Sequence, residues 1–160
     1  MKSKLINKQP KTFALVFETG DEVMEGLKTF AREQRLSTSQ FSAIGAFSDS
    51  VLGFFNVAKR DYKRIPVTEQ TEVLSLLGDV TLNDGEPQLH AHVVLGKSDG
   101  TAHGGHLLKA HVQPTLEVIL VESPKHLHRT HDKQSGLALI RLAGTDMPKR
   151  RVARRSRIQF

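Results

Sequence analysis

Half of the chain's eight histidines fall in one stretch, LHAHVVLGKSDGTAHGGHLL, residues 89–108. Imidazoles bind divalent metals and carry protons near neutral pH. With no cysteine in the chain, thiolate ligation and disulfides are excluded, and any metal site must use histidine, carboxylate or water. The chemistry therefore depends on where His90, His92, His103 and His106 point.

Strand side chains alternate between faces, so His90 and His92 share one face and Leu89, Ala91 and Val93 take the other. Ser98-Asp99-Gly100 suits a three-residue hairpin loop closed by a glycine in the left-handed region. Counting outward from Lys97 and Thr101 then sets His92 opposite His106, where Cβ atoms lie roughly 4.5–5.5 Å apart. His90 follows two residues along, whereas His103 pairs with Leu95 and points away. Three imidazoles thus converge on one patch, close to what a metal with nitrogen bonds of roughly 2.0–2.1 Å requires. Strand histidines are also commonly exposed or bonded to backbone, and a bulge at Gly104-Gly105 would shift the register by one.

These residues need a sheet to hold them. TFALVFE alternates and reads as a strand, and Thr19 with Glu22 has the spacing of a capping box. Val23, Leu27, Phe30 and Ala31 then recur at helical spacing, which predicts one amphipathic helix over residues 21–35. Downstream lie two apolar strands joined near Ser48-Asp49-Ser50, then YKRIPVTEQ, and then TEVLSLLGDVTL, ended by Asn83-Asp84-Gly85-Glu86-Pro87. The histidine hairpin, TLEVILVES and SGLALIRLAG complete the set. The expected class is α+β: a largely antiparallel, barrel-like sheet with one main helix packed alongside. Residues 1–11 read as a polar leader, 12–146 as the domain and 147–160 as a basic tail.

Lys149, Arg150, Arg151, Arg154, Arg155 and Arg157 supply six of the 23 basic side chains; without them 17 basic groups face 17 acidic ones. The net charge of +6 belongs to the tail, which suits a nucleic-acid anchor or a solubilising end. Any DNA contact there is expected to be weak and not sequence-specific, since Phe160 is the tail's one aromatic residue. No apolar run is long enough to span a membrane, and no secretory signal pattern opens the chain, so a cytoplasmic protein is expected.

Gly45-Ala46-Phe47-Ser48, Leu89-His90-Ala91-His92, Asp99-Gly100, Gly104-Gly105-His106-Leu107 and Thr115-Leu116-Glu117-Val118 together resemble the plants and prokaryotes conserved (PPC) domain, over residues 12–143. The resemblance implies an antiparallel sheet with helices alongside, assembled as a homotrimer. It also implies a fold similar to acetolactate decarboxylase, whose metal is held by the same His-x-His and Gly-Gly-His pattern. Carried over, it makes His90, His92 and His106 the ligands of a divalent metal, expected to be zinc. Plant members typically carry AT-hooks, and this chain has no Arg-Gly-Arg-Pro core.

Glu72 and Glu117 lie within apolar strands, where a carboxylate could complete a metal shell or carry a proton, or simply occupy a solvated or interface face. Arg129, His131 and Asp132 could bind an anion or pair across subunits, a polar loop being the simpler reading. Three functions follow: a DNA-associated regulatory module, a zinc-dependent lyase acting on a small oxo-acid, and a small-molecule or metal sensor. A shared fold does not choose among them.

Overall fold

The computed structural model describes residues 1–123 and 127–141. Nine strands and one helix run in the order β1 (Lys2–Lys8), β2 (Lys11–Glu18), α1 (Val23–Glu33), β3 (Thr38–Asn56), β4 (Asp61–Val67), β5 (Thr71–Asn83), β6 (Glu86–Gly96), β7 (Ala102–Glu122), β8 (His128–His131) and β9 (Ala138–Arg141). The α+β class and barrel-like sheet hold. β3 pairs with both β5 and β7, and β6 pairs with both β5 and β7, so these four strands form a closed ring. Among the described residues no helix is long and apolar enough to cross a membrane.

Closure depends on two long, irregular strands. β3 is continuous through Ser48-Asp49-Ser50, where two strands and a turn were expected. The polar triplet instead marks shifts in the β3–β7 register, and two of its side chains find partners in place: Ser48 Oγ donates to Asp49 Oδ2 at 2.9 Å, and Asp49 pairs with His111. β7 likewise carries both Gly-Gly-His and Thr-Leu-Glu-Val, which reading by apolar runs had split between consecutive strands. Its first residues pair with β6 and its later ones with β3 and β2. Gly45, at φ +151, lies at shifts in the register of β3 with β5 and β7, and a Cβ there would lie 2.3 Å from the Thr115 carbonyl oxygen.

The polar leader is itself a strand, paired antiparallel with β2 from Lys2↔Val16 to Lys8↔Lys11. The helix begins later than the capping box predicted. Glu22 is the N-cap, accepting from the Glu25 amide at 2.6 Å, while Thr19 Oγ1 donates to the Pro114 carbonyl. The intervening Gly20-Asp21 is held against β7, with Gly20 N donating to Val112 O and Val112 N to Asp21 O. That anchoring moves the helix start to Val23.

Val23, Leu27, Phe30 and Ala31 turn inward and pack on the sheet, Phe30 edge-on to Phe13 at 5.1 Å. Each fully buried large apolar side chain contributes roughly 1.5–3 kcal/mol. The ring interior is filled from alternating positions, including Leu76, Val80, Ala91, Val93, Leu95 and Leu107. The opposite positions of β6, His90, His92 and Val94, face outward.

Candidate metal centre

The hairpin loop forms as the sequence predicts. Lys97 N donates to Thr101 O, Gly100 N donates to Lys97 O, and Gly100 has φ +81. Asp99 Oδ1 accepts from both Thr101 N and Thr101 Oγ1, which holds the turn closed. The β6–β7 ladder then runs without a bulge, His92 opposite His106 and Leu95 opposite His103. Gly104 and Gly105 keep the register while allowing close approach: added Cβ atoms would lie 3.2 Å from Val93 O and 3.0 Å from Gly53 O.

His90, His92 and His106 each turn a ring nitrogen into one group, those atoms lying within 4.8 Å of one another. Nε2 of His90 and Nε2 of His92 are 3.1 Å apart, and the ring centroids are 5.0–5.4 Å apart. His103 is exposed and outside the group. Burial holds His106 down to about 4, with the neighbouring charges of His90 and His92 adding to the effect. His90 is also lowered, chiefly by burial, against the opposing pull of Asp79. Neutral imidazoles present free lone pairs, which a divalent cation needs. Nδ1 of His106 is buried without a hydrogen-bond partner, a polar atom that a protein-only site leaves unsatisfied. Three neutral nitrogens without thiolate are a donor set that zinc accepts. The residues fit a metal.

Supporting groups come from β4, β5 and β8. Asp79 of β5 lies opposite His90, its Oδ2 3.8 Å from Nδ1 and its Oδ1 2.6 Å from Nη2 of Arg129. Arg129 is buried and each of its guanidinium nitrogens donates, Nε to Thr81 Oγ1 and Nη1 to the Ala138 carbonyl. It belongs to a strand and ties β8–β9 to β5, where a polar loop was the simpler reading. Tyr62 of β4 stacks on His106 with centroids 4.9 Å apart and planes at 29°. Gly53, directly opposite His106, makes room for that ring, since a Cβ there would lie 2.7 Å from Tyr62 Cδ1.

Over the histidines opens a cavity of about 690 Å³ walled by Phe54, Phe55, Tyr62, Leu77 and Val94. Glu72 and Glu117 do not line it. Both are exposed, Glu72 opposite Ala46 and Gly96, Glu117 opposite Val16 and Ile44. His131 is exposed, and Asp132 accepts from Ser135. His111, with no partner apparent in the sequence, pairs with Asp49 at 2.9 Å. His126 and the six basic tail residues, Lys149 to Arg157, lie outside the described residues.

A family model described as the Plants and Prokaryotes Conserved (PCC) domain matches residues 6–124. Among solved structures, a plant- and prokaryote-conserved protein from Pyrococcus horikoshii is 33% identical with a TM-score of 0.78, covering 88% of this chain and 95% of that one. A protein from Archaeoglobus fulgidus, named as metal-containing, is 32% identical with a TM-score of 0.77, over 88% and 97%. One from Bacteroides thetaiotaomicron, named a "putative dna binding protein", is 26% identical with a TM-score of 0.83, over 88% and 96%. The fold extends to a Staphylococcus aureus protein named as similar to alpha-acetolactate decarboxylase, at 14% identity and a TM-score of 0.53, over 76% of this chain and 53% of that one. No curated protein matches the chain by sequence.

Proposed function

The chain belongs to the Plants and Prokaryotes Conserved domain family, and on that premise we propose that it is a homotrimeric, cytoplasmic regulatory module that binds zinc and a small ligand. The observation that carries this reading is the convergence of His90, His92 and His106 beneath an open cavity. A metal-containing relative at 32% identity supports it. Bound there, zinc would supply Lewis acidity and a position for water or a small anion. Among the described residues lining the cavity none carries a carboxylate or guanidinium, so the geometry favours binding over an acetolactate decarboxylase-like turnover of an oxo-acid.

Assembly is supported by the outer face of the sheet. One ladder row runs from His92 through Leu77 and Ser42 to Ile119, and beside it stands Ile44. Ile44 is 62% and Ile119 46% exposed, apolar surface that a partner subunit would cover. A trimer would carry three copies of the six basic tail residues, Lys149, Arg150, Arg151, Arg154, Arg155 and Arg157, and so three charge-bearing segments for DNA. The relative named "putative dna binding protein" favours that partner.

The experiment is zinc titration into chelator-stripped protein, with the mass in the same samples followed by light scattering. One zinc per chain in a particle of three chains is expected. A particle near 17.8 kDa that takes up no zinc contradicts the proposal.

A further inference from the structure

We infer that the cavity above the histidines selects a small anion with its charge at one end and a flat apolar body, in the class of an aryl carboxylate. This rests on the metal reading above and deepens it by naming what the metal would hold.

Charge decides the head of the ligand. Among the described residues, the cavity lining holds no Asp, Glu, Lys or Arg, so the metal at His90, His92 and His106 would be the one positive centre there. The buried guanidinium beyond the wall, Arg129, is committed to Asp79, Thr81 and the Ala138 carbonyl. A carboxylate or equivalent chelating head would find its counter-charge at that metal alone. A negative charge carried on the ligand's body, away from the metal, would face an apolar wall without a partner, which is costly.

Shape decides the body. Tyr62 lies nearly parallel to His106, across the space left by Gly53, and Phe55 meets it edge-on at 5.1 Å. Phe54, Leu77 and Val94 continue the apolar wall. The cavity of about 690 Å³ is far larger than a metal-bound water or acetate would fill. A planar hydrocarbon body placed against these walls gains burial that a methyl group cannot.

The test uses the full-length, zinc-loaded protein and calorimetric titration with acetohydroxamate and benzohydroxamate, which share a chelating head and differ in the body. Inorganic phosphate serves as the anionic probe without an apolar body, and zinc content is measured on the same samples. Benzohydroxamate is expected to bind about tenfold tighter or more, the gain from burying a ring, with phosphate weaker than both. Phe54→Ser, which removes one apolar wall side chain, should cut the ratio below about threefold by weakening benzohydroxamate more than acetohydroxamate. Equal affinities for the two hydroxamates, tighter binding of phosphate, or an unaltered ratio in Phe54→Ser overturns the inference while the metal reading stands. Protein that retains no zinc and binds neither hydroxamate overturns both.

Discussion

Asp79 and His90 face each other across the β5–β6 ladder, with the carboxylate Oδ2 3.8 Å from the imidazole Nδ1. The separation is just beyond hydrogen-bond range, and the other carboxylate oxygen is held by Arg129 at 2.6 Å. A carboxylate behind a ligating histidine fixes the ring's orientation and raises its basicity. Asp79→Asn is therefore expected to weaken zinc binding by about ten- to a hundredfold, measured by competition with a chromophoric chelator. Unchanged affinity would mean that Asp79 serves only to hold Arg129.

Stability of the metal-free protein should depend on pH through the same cluster. His106 is held at about 4 in the fold against an ordinary 6.5, and His90 is lowered in the same direction. The unfolded chain therefore binds more protons between those values, so stability is full above about pH 6.5 and is lost as pH falls toward 4. Urea unfolding of stripped protein at pH 7.5 and 4.5 measures this, and His106→Gln should flatten the dependence. A profile that is flat in the parent protein and unmoved by the substitution contradicts the assignment.

The hairpin was legible because its information is local. A three-residue loop and strict alternation fix which of four histidines converge, and the absence of a bulge at Gly104-Gly105 preserved that count. Asp79 was legible by the same route and went unread: counting outward from the Asn83–Glu86 turn, where Asp84 and Gly85 both have positive φ, places Asp79 opposite His90. Tyr62 and Asp49 could not be found this way. Tyr62 reaches His106 through a third strand, and Asp49 meets His111 across 62 positions of chain. Ser48-Asp49-Ser50 misled because polar residues in a strand signal a turn unless distant partners satisfy them, and here His111 of a distant strand partners Ser48 and Asp49.

Nucleic-acid binding, if carried by the tail, should be largely insensitive to sequence and steeply weakened by salt, with a slope of roughly −0.9 per phosphate neutralised. The comparison is full-length protein against a truncation after Pro148, titrated with duplex DNA at two salt concentrations. The truncation is expected to lose most of its affinity at low salt, because residues 1–148 carry no net positive charge. Equal binding by the two proteins removes the tail from that role, and no binding by either removes DNA from the proposal.

The most direct test of the metal centre is elemental analysis of protein purified without a histidine tag, alongside His92→Ala. His92 stands opposite His106 with its Nε2 3.1 Å from that of His90, so its loss leaves two imidazoles where three converged. Near one divalent ion per chain in the parent protein, with at least a tenfold loss of affinity (roughly 1.4 kcal/mol) in the variant, is the predicted result. Equal metal content in the two proteins would contradict it.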